Sequence, residues 1–496
     1  MKDSRMARGA GILLAVTSLP SPYGIGTMGR DAFQFVDMLI DLRQKYWQVL
    51  PIGPTSFGDS PYQSFSAFAG NPYLIDLDLL IEEGLLRQDE VDSYNWGTHR
   101  DDVEYELIYE NRFKILKSAF QRFDIEDEAF KRFCKANKEW LADYSLYMAI
   151  KNEMGGREWL AWEEGLRNRD EDTLNKYREL LKEEIDFWKF LQYKFFQQWK
   201  ELRAYANRHG IKIIGDIPLY VALDSADVWA NREQFKLDEG GRPIEVAGCP
   251  PDAFSDDGQR WGNPLYDWEK MEEDGYAWWQ KRMEANGNLF DIIRIDHFIG
   301  VARYYSIPAG DQNARNGRWN RGPGKKLTDV IEKTLGKNRI IAEDLGVAVP
   351  AVKKLLTKTG WPGMKILLFA FDGNTANEHL PHNYDDGNLV VYAGTHDNET
   401  VVGYFRDKTE YELAFLYEYL NIQKKEEIPD GIIRLAYASV ADIVIMQMQD
   451  LLKLGNEARM NYPSTVGSNW KWRTLKNSLS EERRTWIRTM TLLYRR

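Results

Sequence analysis

The stretch Ile292-Ile293-Arg294-Ile295-Asp296-His297 decides the fold, because an apolar run meets charged residues at one point. Its apolar residues do not alternate with polar ones, which is typical of a parallel strand buried on both faces. Asp296 follows the run directly, at the carboxyl end of the predicted strand. Arg294 lies two residues earlier, on the same side of the strand, where it can keep Asp296 ionised by charge pairing.

Seven other runs of strand length show the same kind of pattern. With Asp291–Phe298, the predicted strands are Gly11–Leu19, Tyr46–Ile52, Ile211–Val221, Arg339–Gly346, Met364–Phe371, Leu389–Asp397 and Asp442–Gln449. Segments with helical periodicity, such as Asp31–Leu42 and Val349–Lys358, lie between several of them. Eight buried strands with helical connections predict an α/β fold, a (β/α)8 TIM barrel, with an open doubly wound sheet as the structural alternative.

The connections between the predicted strands are unequal in length. About 150 residues separate the second strand from the third, which is too long for a single crossover. We expect one catalytic barrel over residues 1–496 that carries two insertions. Residues 55–210 are predicted to form a mainly helical subdomain region, and residues 222–290 a loop-rich one between the third and fourth strands. Aromatic stripes in the first insertion (Trp140, Tyr144 and Tyr147; Phe187, Phe190 and Tyr193) are interpreted as core residues.

Composition and charge exclude several classes of protein. The chain has 65 Lys and Arg against 76 Asp and Glu, and the net charge of −11 argues against nucleic acid or an anionic membrane as partner. Two cysteines provide neither a disulfide framework nor a Cys-rich zinc site. No apolar stretch approaches the ~20 residues of a membrane span. Met1–Val16 resembles a short signal peptide, but it lacks a small-residue cleavage pattern and is interpreted as containing the first strand.

Acidic residues stand at the ends of four predicted strands. They are Asp216, Asp296, Glu343 and Asp397, on the third, fourth, fifth and seventh strands. The carboxyl ends of barrel strands share the face where barrel enzymes hold their active sites, so these side chains should converge in one cleft. Buried carboxylates are costly unless they are paired or used. His297 and His396 adjoin two of the four, which adds to the charged set.

Converging carboxylates suit the cleavage of glycosidic bonds. One carboxylate attacks the anomeric carbon, a second protonates the leaving oxygen, and a third can steady the transition state. Aromatic residues make up 13% of the chain and can supply flat surfaces for sugar rings. The alternative is a divalent-metal barrel enzyme that uses Asp, Glu and His as ligands. Periodicity does not separate these two hypotheses.

Around these residues the chain resembles the 4-α-glucanotransferases, a family also known as amylomaltases or disproportionating enzymes. The matching motifs run in order through almost the whole chain, and together they are highly specific. They are Thr17–Gly26, Gly58–Gln63, Gly215–Pro218, Pro250–Ser255, Trp261–Pro264, Arg294–Phe298, Ala342–Gly346, Gly394–Asn398 and Asn461–Thr465.

The resemblance implies a retaining enzyme, related to the α-amylases, that moves α-1,4-glucan segments between maltooligosaccharides. An α-glucan hydrolase is the alternative within the same chemistry. The family pattern makes Asp296 the nucleophile, Glu343 the general acid/base and Asp397 the residue that binds and distorts the sugar. The remaining matching positions imply substrate binding by Tyr62, Asp216, Trp261, Arg294, His297, His396 and Asn461.

The same resemblance sets expectations for the surroundings of the site. The family needs no metal and no organic cofactor. Residues 250–259 resemble its flexible loop over the cleft, although Asp256 and Asp257 depart from the uncharged residues of many members. Donor and acceptor are expected to be α-1,4-glucans and maltooligosaccharides, without nucleic acid or membrane, in the cytoplasm. A non-catalytic glucan-binding protein is a third hypothesis, but binding alone does not need carboxylates at strand ends.

Overall fold

Short apolar segments become the strands of the computed structural model, which describes residues 5–56, 58–251, 256–346 and 350–496. Every residue of the first and last strands is buried. The strands found in the described residues are β1 (Gly9–Leu13), β2 (Tyr46–Gln48), β3 (Lys212–Ile217), β4 (Glu245–Cys249), β5 (Gln259–Pro264), β6 (Ile292–Ile295), β7 (Arg303–Pro308), β8 (Arg318–Arg321), β9 (Ile340–Ala342), β10 (Gly363–Ile366), β11 (Leu389–Tyr392) and β12 (Ile443–Gln447).

Eight of these strands form one parallel sheet, in the order β10-β11-β12-β1-β2-β3-β6-β9. The two outer strands approach each other, since the amide of Ala342 in β9 donates to the carbonyl of Pro362, just before β10, at 2.9 Å. The sheet is therefore a nearly closed barrel. Each strand falls within or overlaps one of the eight predicted runs, so the (β/α)8 prediction is confirmed and the open-sheet alternative is wrong.

The helices of the described residues lie between and around these strands. They are α1 (Arg30–Asp41), α2 (Leu77–Glu82), α3 (Gln88–Asp92), α4 (Tyr105–Phe120), α5 (Glu128–Ala136), α6 (Lys138–Glu153), α7 (Glu164–Arg167), α8 (Glu171–Leu180), α9 (Lys182–Arg208), α10 (Ala226–Ala230), α11 (Trp268–Glu273), α12 (Ala277–Leu289), α13 (Ile299–Ala302), α14 (Lys325–Leu335), α15 (Pro350–Thr359), α16 (Val401–Arg406), α17 (Glu410–Leu420), α18 (Ile428–Ala438), α19 (Met448–Leu451) and α20 (Glu481–Leu493).

Helices α2 to α9 all lie between β2 and β3. Their aromatic side chains pack together, as between Tyr144 of α6 and Trp188 of α9, whose ring centroids are 6.1 Å apart. Four of the six predicted core residues are buried, namely Tyr144, Tyr147, Phe187 and Phe190, whereas Trp140 and Tyr193 are only partly buried. The division of the chain into subdomain regions at 55–210 and 222–290 stays a prediction.

A second sheet is the main feature that the sequence analysis missed. It is antiparallel in the order β5-β4-β7-β8, and it takes strands from both sides of β6. Its strands are short, and β4 and β5 lose register between Val246 and Gly248, so the period-2 signal of a hairpin is broken there. This sheet matters for the site because β5 carries Trp261.

Among the described residues, no helix combines the length and the apolar character that crossing a bilayer requires.

Candidate active site

The ends of the barrel strands bring the predicted carboxylates to one face. Asp216 lies inside β3, whereas Asp296 and Glu343 follow β6 and β9 directly. Asp397 lies farther out, in the loop between β11 and α16. The glycine before Asp216 is required by packing, because a Cβ on Gly215 would come within 2.2 Å of the Phe290 ring. The carboxyl end of β3 therefore packs closely against the residue Phe290, which lies just before β6.

Arg294 connects two of the carboxylates. Its Nη1 donates to both oxygens of Asp216 at 2.7 Å, and its Nη2 lies 2.9 Å from Oδ1 of Asp296. Burial lowers the pKa of Arg294, but the charges of Asp216 and Asp296 outweigh that effect and hold the pKa well above its ordinary value. Arg294 thus supplies a permanent positive charge between Asp216 and Asp296, although burial and the charge of Asp296 keep the pKa of Asp216 above its ordinary value.

Glu343 lies beside the Asp296 segment and is almost fully buried, with 8% of its surface exposed. Its Oε2 accepts the backbone N–H of His297 at 2.8 Å, and its Oε1 accepts that of Leu345 at 2.7 Å. Burial and the nearby charge of Asp296 raise the pKa of Glu343 to about 8, against the opposing effects of Arg294 and the Leu345 amide. The carboxyl group is therefore protonated at neutral pH and held in a fixed orientation.

His297 owes its amide position to an unusual backbone conformation. Its φ of 51° is in the left-handed region, which few non-glycine residues adopt. Because of this turn, the backbone N–H of His297, the residue that follows Asp296, points at the Glu343 carboxyl group. Burial lowers the pKa of His297 to about 4, so its ring is neutral at working pH. The ring packs edge-to-face with Trp261, with centroids 4.7 Å apart.

Asp397 is held by its neighbour in the same loop, His396, and by Asn461 from another loop. Nε2 of His396 lies 3.3 Å from its Oδ2, and Nδ2 of Asn461 donates to its Oδ1 at 2.6 Å. Burial opposes ionisation, yet the His396 charge and the hydrogen bonds from His396 and Asn461 hold the pKa of Asp397 well below its ordinary value. Its side chain remains 45% exposed, so a permanent carboxylate is accessible from solvent.

Tyr62 joins the two halves of the site. Its hydroxyl donates to Oδ2 of Asp216 at 2.9 Å and lies 3.4 Å from Nδ1 of His396. Its ring stacks on the His396 ring with centroids 5.0 Å apart. A continuous series of contacts thus leads from Asp397 through His396, Tyr62, Asp216 and Arg294 to Asp296.

The structure adds residues to the site that sequence reasoning missed. Nη2 of Arg459 donates to the backbone oxygen of Asp397, and its Nε donates to that of Asn461, both at 2.8 Å. Nε of Arg294 points to the Met364 sulfur at 3.4 Å. Trp470 lies 5.8 Å from the rings of both Tyr62 and His396. Arg459 stands two residues before the predicted site residue Asn461, so its position in the sequence could have indicated a role in the site. Nothing in the sequence around Trp470 or Met364 indicated such a role.

Part of the predicted covering loop, residues 252–255 of 250–259, lies outside the described residues. On its described side, Oδ1 of Asp257 accepts Nε of Arg315 at 2.8 Å. Asp257, one of the two departures from the family pattern, is therefore paired with the segment between β7 and β8.

Metal ligation was the alternative that the sequence left open. Among residues 5–56, 58–251, 256–346 and 350–496, no three or more His, Cys, Asp or Glu side chains are arranged to hold a metal ion.

Comparison with known proteins gives consistent results. The sequence pattern of the 4-alpha-glucanotransferase family matches residues 14–478. A 4-alpha-glucanotransferase of Clostridium butyricum is 48% identical over 486 residues, covering 97% of this chain and 99% of the relative. One of Thermus thermophilus is 47% identical over 496 residues and covers 98% of both chains.

Solved structures resemble the chain over its whole length. The amylomaltase of Streptococcus agalactiae, in complex with acarbose, aligns with a TM-score of 0.95 and 43% identity, and the match covers 99% of each chain. The amylomaltase of Corynebacterium glutamicum aligns with a TM-score of 0.79 at 18% identity, covering 98% of this chain and 75% of the other. The second likeness concerns the fold alone.

Proposed function

The chain belongs to the 4-α-glucanotransferase family, and we propose that it transfers α-1,4-glucan segments by a retaining double displacement on Asp296. The observation that carries this mechanism is the contrast between two neighbouring carboxyl groups. Asp296 is paired with Arg294 at 2.9 Å, whereas Glu343 is buried with its pKa raised to about 8. A carboxyl group paired with a fixed cation, beside a buried carboxyl group that stays protonated, provides a nucleophile and an acid in one site.

In the first step, a carboxylate oxygen of Asp296 attacks the anomeric carbon of the donor chain. The bond from that carbon to the leaving glycosidic oxygen breaks, and Glu343 gives that oxygen its proton. The His297 and Leu345 amides orient the Glu343 carboxyl group for this transfer. The product is a glycosyl ester on Asp296 and a shortened chain with a free 4-hydroxyl.

In the second step, Glu343 acts as the base. Formation of the ester removes the Asp296 charge that raises the pKa of Glu343, so the carboxylate form becomes easier to reach. The two amide donors stabilise that carboxylate. It accepts the proton of an acceptor 4-hydroxyl, whose oxygen attacks the anomeric carbon and releases Asp296.

The other polar residues bind the sugar at the cleavage point. Asp397 offers a permanently ionised, half-exposed carboxylate for sugar hydroxyls, with His396 and Asn461 holding it in place. Asp216 and Tyr62 position Arg294, and through it Asp296. The rings of Trp261 and His297 pack edge-to-face next to Glu343 and provide an aromatic surface for a sugar ring.

The proposed donors and acceptors are α-1,4-glucans and maltooligosaccharides, and the proposed location is the cytoplasm. A net charge of −11 does not repel a neutral polymer. Transfer instead of hydrolysis requires that a bound sugar hydroxyl outcompete water for the ester, which filled acceptor positions achieve by proximity.

Maltotriose distinguishes transfer from hydrolysis. We expect purified protein to convert it into glucose and longer maltooligosaccharides, while the number of reducing ends stays almost constant because one α-1,4 bond replaces another. Thin-layer chromatography and a reducing-sugar assay on the same samples measure both quantities. A rise in reducing ends in proportion to the maltotriose consumed would favour the hydrolase alternative, and unchanged maltotriose would favour a binding protein.

The ionisation of Glu343 predicts the alkaline limb of the pH profile. Glu343 must be protonated to act as the acid, and its raised pKa of about 8 keeps it so below that pH. We expect kcat/KM for maltotriose to fall about tenfold per pH unit above pH 8. A glycosyl fluoride donor, whose leaving group needs no proton, is the matched control. The assignment is wrong if ester formation from the fluoride shows the same alkaline limb.

A further inference from the structure

Asp450 is a buried carboxyl group that the proposed mechanism does not use. It lies on α19, directly after β12, and only 1% of its surface is exposed. In the part of the chain that the structure describes, no cationic side chain pairs with it, and burial raises its pKa to about 7. A buried carboxyl group without a cation costs free energy of folding, so its other contacts bear on why an acid occupies this position.

Asp450 contacts the helix that follows the Asp397 loop. Its Oδ1 accepts the backbone N–H of Val401, the first residue of α16, at 2.7 Å in the buried interior. Its Oδ2 accepts a longer hydrogen bond of 3.4 Å from Nε2 of Gln447, at the end of β12. A buried N–H group that loses its acceptor is costly, because water cannot replace the partner. The Asp450 side chain therefore fixes the start of α16.

The connection from Val401 back to Asp397 has little freedom to absorb a displacement. Only three residues separate the two. Oδ1 of Asn398 accepts the backbone N–H of Thr395 at 2.8 Å, which closes the turn around Asp397. Oγ1 of Thr400 accepts an N–H within α16 at 3.0 Å and so joins the turn to the helix. A movement of Val401 is therefore transmitted to Asp397.

Other residues after β12 hold the same loop. Nδ2 of Asn456 donates to Oε1 of Glu399 at 2.5 Å. A Cβ at Gly403 of α16 would collide with the Asn456 side chain, so the helix packs directly on this segment. Arg459 donates to the backbone oxygen of Asp397 at 2.8 Å. The segment 448–461 is thus a frame for the Asp397 loop, and Asp450 is its most deeply buried polar contact with that loop and its helix.

We propose that Asp450 is a positioning residue for the sugar-binding carboxylate of Asp397, acting through the Val401 amide. Without the Asp450 acceptor, the start of α16 has to shift to satisfy the buried N–H, and Asp397 shifts with it. A displacement of about 1 Å in a group that binds the reacting sugar can cost up to about 10²-fold in rate. This inference rests on the proposed function, since it assigns Asp397 its role at the cleavage point.

A double-mutant cycle tests the proposal. The donor is a glycosyl fluoride, and fluoride release reports the step in which the bond from the anomeric carbon to fluorine breaks and the Asp296 ester forms. We expect Asp450→Ala to lower kcat/KM for the fluoride about tenfold. In an Asp397→Asn background the same change should cost less than about twofold, because the carboxylate that Asp450 positions is already absent. Protein in excess over donor gives a measurable single turnover for slow variants.

Two further variants separate positioning from a general structural role. Asp450→Asn keeps an oxygen that can accept the Val401 N–H and should retain most of the rate. Asp76→Ala is the matched control, since Asp76 is also buried and accepts a backbone N–H, that of Leu79 on α2, at 3.1 Å. It should change kcat/KM by the same factor in both Asp397 backgrounds. Thermal unfolding checks that each variant is folded, and Asp450→Leu replaces Asp450→Ala if the latter is not.

The outcomes are distinct. An equal loss from Asp450→Ala in both backgrounds would show a structural role and overturn the proposal. No loss in the original background would overturn it too, as would a tenfold loss in Asp450→Asn. If the original protein makes no product ladder from maltotriose, the proposed function fails instead.

Discussion

Replacing Asp296 by Asn is expected to remove almost all transfer activity, by at least about 10⁴-fold in kcat, because the amide is a poor nucleophile. Asp296 is the carboxylate that adjoins both the permanent cation of Arg294 and the acid Glu343. Asp216 keeps its two hydrogen bonds to Arg294 in the variant, so the buried cation stays paired. Initial rates on maltotriose measure the effect.

The control for this variant is a second Asp→Asn change of equal size. Asp329 is 58% exposed on α14 and pairs with Lys325, so Asp329→Asn should leave the rate unchanged. Circular dichroism and thermal unfolding should show that Asp296→Asn is folded. If folded Asp296→Asn keeps more than about 1% of the rate, Asp296 is not the nucleophile.

Replacing Glu343 by Gln is expected to lower the rate on natural glucans by about 10²- to 10⁴-fold, because the leaving oxygen receives no proton. The amide retains one oxygen for the backbone N–H groups of His297 and Leu345, so the side chain keeps part of its anchoring. With a glycosyl fluoride, the first step needs no acid. The ester should then form and accumulate, because no base activates the acceptor for the second step.

Mass spectrometry of this trapped protein identifies the nucleophile directly. The added glucan should be found on the peptide that contains Asp296. Glu284→Gln, a change at an exposed position on α12, is the matched control and should neither slow transfer nor trap the ester. A label on another carboxylate would contradict the assignment.

The barrel was predictable because its strands are buried on both faces and therefore read as continuous apolar runs. Ile292–Ile295 and Leu389–Tyr392 are fully buried, and both lie within predicted runs. The predicted runs are longer than the strands. For example, the run Leu389–Asp397 continues past the strand Leu389–Tyr392 into the loop that carries Asp397. Apolar residues in a buried loop look like strand residues. The second sheet escaped prediction because a strand such as Arg318–Arg321 is short, polar and partly exposed.

Residues of the candidate site were predictable only where a charged side chain directly follows a predicted strand. Asp296 and Glu343 follow apolar runs directly, so their convergence could be expected from the topology of a barrel. Sequence does not show that the left-handed turn at His297 aims an amide at Glu343, nor that Arg459 contacts the loop of Asp397. Those contacts depend on loop conformations that no periodicity encodes.

The pairing of β1 with β12 affects how the protein is made. Gly9 lies opposite Ile443, roughly 430 residues later in the chain. On a ribosome, the nascent β1 therefore has one unpaired edge for on the order of tens of seconds before its neighbour emerges. An apolar strand with a free edge is prone to pair with other chains. We therefore expect the yield of folded protein in cells to depend on chaperones that cover this edge until synthesis reaches β12.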